Sequence, residues 1–278
     1  MVYAERDPKL RRRRDVGSRN LSTPSIESNP LGGDPAYVPR TGWPAWAVLP
    51  AALAIFAGAA LFGIAASFIA TAMIDPSLFA DAEPPLEVVT AWLAGLQLGL
   101  VVFTVLAAGF FASSRAETLA LRAPRGGWVV LPLALIPMFA VTAAWTALLM
   151  WWRPDVVIGD LRVFKELLEG NAALLALLVI GVGAPLSEEL LFRGFLFSGL
   201  AKSRLGLVGT GLVTALLWTA MHVGYSLFGL IEVLAIGLYF SWLLVRTGSI
   251  WVTIFCHAVY NTVVGLVLYF VTLPPVTP

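Results

Sequence analysis

Residues 172–198 read AALLALLVIGVGAPLSEELLFRGFLFS, an apolar run interrupted by Glu188, Glu189 and Arg193. About 20 such residues suffice to cross a bilayer as a helix. Each ionisable side chain near the centre of that helix costs about 2.5–3.5 kcal/mol on insertion scales, so three together need partners or a task.

The rest of the chain is built from the same material. It has 278 residues, of which 59% are hydrophobic and only 13% charged, with a mean hydropathy of +0.85. Soluble domains carry about one quarter charged residues. Seven apolar segments, near 46–73, 88–112, 128–150, 172–198, 208–225, 229–245 and 250–271, reach or approach spanning length. None shows the alternation of a membrane barrel. The fold expected is all-α, a polytopic transmembrane helix bundle of about seven spans. In 155–170 charged and apolar residues mix, as in a re-entrant or interfacial helix. The tryptophans gather near the expected span ends, where aromatic residues anchor helices at the interface. Small residues at Gly95-x-x-x-Gly99 and Gly206-x-x-Gly209 are expected to allow close helix packing.

Residues 1–42 differ in kind. Arg11 to Arg14 precede a run of Ser, Asn, Pro and Gly with little to bury, which reads as a disordered basic tail that contacts anionic lipids. The tail is too long for the charged start of a cleavable signal, so the first helix is expected to remain as an anchor. The net charge of +1 gives no reason to expect a nucleic-acid partner. Counting across seven spans, one side holds fourteen Lys and Arg, the tail included, and the other three. By the positive-inside rule the N-terminus is expected in the cytoplasm and the C-terminus outside, in an integral protein of the plasma membrane. The single cysteine, Cys256, excludes an internal disulfide framework.

Residues four apart share a helix face and neighbours are turned by about 100°. Glu189 and Arg193 are therefore expected to stack as an ion pair while Glu188 points elsewhere, unpaired and suited to exchanging protons with water. The only histidines, His222 and His257, lie on later segments, and Asn261 shares a face with His257. Imidazole binds a metal or a water, and an amide can orient that water or stabilise an oxyanion. At about 1.5 Å per residue, Glu188 lies roughly 21 Å from Lys202, His257 roughly 16 Å from Arg246 and Asn261 roughly 22 Å from it. His222, roughly 27 Å from Arg204 by the same rise, is the outlier. Cys256 is turned away from His257, which argues against a thiolate–imidazole nucleophile, and Glu232 reads as an interfacial residue.

These residues resemble the CPBP group of intramembrane endopeptidases, which contains the type II CAAX prenyl proteases and the bacteriocin-processing, ABI-like proteins. Glu188, Glu189 and Arg193 match its Glu-Glu-x-x-x-Arg motif. Trp218 and His222 match its aromatic-x-x-x-His motif, with tryptophan where phenylalanine is usual. His257 and Asn261 match His-x-x-x-Asn. The resemblance covers about residues 172–271 and implies that 171–273 is a catalytic helix core; the membrane helices of 43–170 that precede it are read from hydropathy alone. It implies hydrolysis of a peptide bond in a membrane protein or lipidated peptide, with catalytic Glu188, Glu189, His222, His257 and Asn261, Arg193 as ion-pair partner and Trp218 beside the substrate. The donors Glu188, His222 and His257 fit zinc around an open position. They fit equally a metal-free site in which Glu188 is the base. Two other classes compete: a partner-binding or immunity protein that keeps the fold without catalysis, and a proton-coupled transporter. The second lacks the repeated halves common in transporters.

Overall fold

A computed structural model describes residues 30–77, 83–111 and 114–274. Within a bilayer, backbone polar groups must be satisfied inside each segment, and every regular element described is accordingly a helix: α1 Ala45–Ile74, α2 Leu86–Ala108, the single turn α3 Arg115–Thr118, α4 Val130–Trp152, α5 Pro154–Glu169, α6 Ala173–Leu200, α7 Gly206–Ala220, α8 Leu227–Thr247 and α9 Ile250–Phe270. Six of these are long and apolar enough to span, and α7 is a shorter apolar helix. The amphipathic stretch expected near 155–170 is α5. Trp46, Trp128, Trp151 and Trp152 are exposed near helix ends, as interface anchors are.

Helices α1 and α2 form a close pair because small residues line their contact. A Cβ added at Gly95 would sit 2.6 Å from Phe62 O, and one at Gly99 2.7 Å from Ala59 Cα. The expectation for Gly206 and Gly209 is corrected. Gly206 takes a left-handed φ of 59°, with open space where a side chain would be, so it serves the turn into α7 rather than helix packing.

At the centre lies α6, half of whose apolar window is buried, more than in any other span. It is not a uniform helix: π-helical turns at Val179–Gly183 and Leu190–Leu196 flank the α-helical Ala184–Glu189. Such turns are uncommon and are often found at functional sites.

Of the expected tail, residues 1–29, including the arginine run and its lipid contacts, lie outside the described residues. Residues 36–43 are held against the bundle. The backbone N–H groups of Ala36 and Tyr37 donate to Val245 O, at 2.9 and 3.1 Å. Arg246 donates to Gly33 O, and Lys202 Nζ to Thr41 O at 2.7 Å. Tyr37 is buried and packs edge-on against Phe197, with ring centroids 5.2 Å apart. Burial pushes its phenol up to about 12.

Candidate active site

Leu190 to Leu196 are all buried, and with them the guanidinium of Arg193, which has no exposed surface; neither has Glu189. The expected ion pair is present, Arg193 Nη1 to Glu189 Oε1 at 2.9 Å. Arg193 Nη2 donates to Gly237 O at 3.2 Å. Its charge lies over two aromatic faces, 4.5 Å from the Trp218 ring and 5.4 Å from Phe240. An arginine stripped of water thus keeps a carboxylate, a carbonyl and two π-faces around it.

Glu189 holds a second partner. His257 Nδ1 lies 3.1 Å from the same Oε1, a contact in which the ring nitrogen donates to the carboxylate. His222 is held in the same sense: its Nδ1 is 2.9 Å from Trp218 O, and a carbonyl can only accept. Both imidazoles are therefore oriented through Nδ1, leaving Nε2 to meet a ligand or water.

Glu188 is not unpaired, as the sequence suggested. Trp218 Nε1 donates to Glu188 Oε2 at 2.6 Å. Trp218 is itself buried, and its ring centroid lies 5.0 Å from that of His222 and 5.5 Å from that of His257. The indole is the hub on which Glu188, Arg193 and both histidines converge. The turn from Glu188 to Glu189 divides their labour, with Glu189 facing Arg193 and His257 and Glu188 facing the indole.

Two placements differ from expectation. His222 is not on a membrane helix: α7 ends at Ala220, and residues 221–224 form a turn. That accounts for its outlying helical distance. Asn261 donates Nδ2 to Ile180 O at 3.0 Å, and the neighbouring Thr262 Oγ1 donates to Gly181 O at 3.4 Å. Both carbonyls belong to the first π turn of α6, where the i→i−4 ladder is interrupted. Asn261 therefore ties α9 to α6, and one amide proton and Oδ1 are left over.

The sequence reading passed over Asp160, Tyr225 and Tyr260. Tyr260 donates to Glu232 Oε1 at 3.0 Å. The Tyr225 ring lies 5.4 Å from that of His222 and within electrostatic reach of Glu188, Asp160 and Glu232. Tyr260, beside Asn261 in the third motif, was the one signal available. Cys256 is fully buried. Among the described residues no three His, Cys, Asp or Glu side chains are gathered as a metal-ion cluster, so Glu188, His222 and His257 do not form a ready three-donor set as placed.

Residues 170–263 match the family model described as type II CAAX prenyl endopeptidase Rce1-like. Every residue from Glu188 to Asn261 discussed above lies inside this matched stretch. A Bacillus subtilis (strain 168) protein named as a candidate membrane peptidase, YdiL, is similar to this chain, 32% identical over 94 residues. That match takes in 34% of this chain and 37% of the Bacillus protein. No solved structure matches the chain.

Proposed function

We propose that this integral membrane protein is an endopeptidase that hydrolyses a peptide bond of a membrane-associated or lipidated protein, with Glu188 activating the water. The observation that carries this reading is the shared orientation of the two imidazoles around the Trp218–Glu188 contact. Each is tied back through Nδ1, so two Nε2 atoms are available beside a carboxylate whose other oxygen can take a proton.

In the reaction Glu188 accepts a proton from water as the oxygen attacks the scissile carbonyl carbon. The C–O bond forms, the C–N bond breaks, and the proton passes from Glu188 to the leaving nitrogen. His222 and His257 orient the water and the carbonyl through Nε2, and the remaining amide proton of Asn261 faces the developing oxyanion. Glu189 takes no proton in this scheme; its carboxylate holds His257 through Nδ1. No step is routed through a metal, because the donors are not clustered as placed. The charge asymmetry of the sequence supports a cytoplasmic tail and an outer C-terminus, with the plasma membrane as the site of action.

The purified protein in lipid vesicles, offered membrane-anchored and lipidated peptides, is expected to release fragments seen by mass spectrometry, and Glu188→Gln to release none. Equal cleavage by wild type and Glu188→Gln would refute the role of Glu188. A parallel arm with chelator and zinc add-back tests the metal: activity that survives chelation supports the scheme above, and zinc-restored activity overturns it.

A further inference from the structure

A helix of 15 residues such as α7 is about 22 Å long, short of a hydrocarbon core of about 30 Å. Residues 221–226, which follow it, are non-helical. Irregular backbone at membrane depth persists only where protein buries it or where it lines a polar cavity. Here it carries His222. Something must hold this turn, and its own hydrogen bonds, Tyr225 N–H to His222 O and His222 N–H to Thr219 O, both at 2.9 Å, are local.

The tertiary hold comes from α5. Asp160 accepts two hydrogen bonds from one residue, Ser226 N–H to Oδ1 and Ser226 Oγ–H to Oδ2, each at 2.7 Å. Ser226 in turn caps α8, its Oγ accepting from Gly229 N–H at 3.1 Å. Four residues on, one helical turn along the same face, Phe164 packs edge-on against Tyr225 at 6.0 Å, and Tyr225 contacts the His222 ring. The space for the carboxylate is kept by Gly229: a Cβ there would run into Asp160 Oδ2.

We infer that Asp160 is a positioning residue for His222, its carboxylate clamping the 221–226 turn so that the imidazole keeps its aim beside Trp218 and Glu188. The inference rests on the proposed peptidase reading for its effect on rate but not for its effect on the ring. Asp160 touches neither substrate nor the reacting atoms in this scheme. It acts through Ser226 and the turn.

The chain has only two histidines, so protein labelled with 15N-histidine gives two sets of imidazole signals, assigned by His222→Ala. Asp160→Ala is expected to shift and broaden the His222 signals while those of His257, bonded to Glu189, stay in place. The turnover number is expected to fall on the order of a hundredfold, as ångström-scale misplacement does, with KM nearly unchanged. Gly229→Ala, which keeps the acid but displaces it while favouring the helix, is expected to reproduce the His222 shift. Asp160→Glu is expected to recover part of the rate. Unmoved His222 signals in both Asp160→Ala and Gly229→Ala, or equal movement of both histidines, would overturn the inference. A wild-type protein without peptidase activity whose His222 signals still respond as described would uphold the clamp and refute the peptidase reading.

Discussion

Replacing Arg193 with methionine tests whether the core of this site is held by charge. The change keeps an unbranched side chain and removes every polar contact of the guanidinium: Glu189 at 2.9 Å, Gly237 O at 3.2 Å and the Trp218 face at 4.5 Å. Glu189, with no exposed surface, loses its arginine and keeps only the neutralising reach of His257 and the hydroxyl of Thr253. Stranding one member of a buried pair costs about 3–5 kcal/mol, and the lost cation–π contact adds up to about 2 kcal/mol when desolvated. At about one decade per 1.4 kcal/mol, even the lower figure displaces the unfolding equilibrium by more than a hundredfold. The assay is reversible unfolding in bicelles followed by tryptophan fluorescence. The double variant Glu189→Gln/Arg193→Met removes both charges, and the carbonyl of the introduced amide can still accept from His257 Nδ1–H, so most of the loss should be recovered. A single variant that loses less than about 1 kcal/mol, the value of an exposed pair, would refute the reasoning. So would a double variant no more stable than Arg193→Met.

Trp218→Phe keeps the ring under Arg193 and removes the N–H that binds Glu188; at about 1.5–3 kcal/mol for a hydrogen bond to a charged group, turnover should fall by about tenfold or more with the fold retained, as measured by kinetics and thermal unfolding side by side. Gly99→Val drives a side chain into the α1 backbone at Ala59, and at about 1–3 kcal/mol for overpacking should lower stability without changing the KM of the folded fraction. Tyr37 predicts a pH dependence: its folded value of about 12 lies above the ordinary phenol value of about 10, so the contribution of its burial is complete below about pH 10 and is lost as pH rises toward 12. Ultraviolet difference titration of wild type against Tyr37→Phe should show one phenol ionising near the upper value, and ionisation at the ordinary value would sink the account of the docked segment.

Spans were legible because lipid makes hydropathy decisive; only α7, shorter than the other apolar helices, and the irregular α6 departed from the pattern. The Glu189–Arg193 pair was legible because four-residue spacing brings such groups together on α-helical and π-helical backbone alike. Three features were not. The π turns leave no mark in residue types, so the use of Asn261 on the Ile180 carbonyl could not be foreseen. The Trp218–Glu188 bond joins α7 to α6, and helical periodicity says nothing about which side chains meet across helices. Tyr37 looked like part of a featureless tail because one aromatic among Pro and Gly carries no periodicity; its burial comes from a pocket made by Phe197 and the loop carrying Arg122, whose guanidinium lies 5.9 Å from the ring.

The two glutamates explain why this site needs both. A carboxylate that is to accept a proton from water cannot also be locked against an arginine, since the ion pair would hold it charged. A histidine that is to present Nε2 needs an acceptor fixed at Nδ1, and in lipid that acceptor must itself be neutralised. Adjacent positions on one helix, turned by about 100°, would satisfy both demands of the proposed scheme: Glu189 is bound to Arg193 and His257, and Glu188, held by the Trp218 indole, is the carboxylate assigned there to take the proton. Exchanging these roles is not possible without rotating α6. It follows that Glu189→Gln and Glu188→Gln should fail differently, the first by loosening His257 and unbalancing Arg193, the second by losing only the base. Unfolding experiments should therefore find Glu189→Gln destabilised and Glu188→Gln close to wild type. Equal stability of the two variants would mean that the division of labour between the neighbouring acids does not exist.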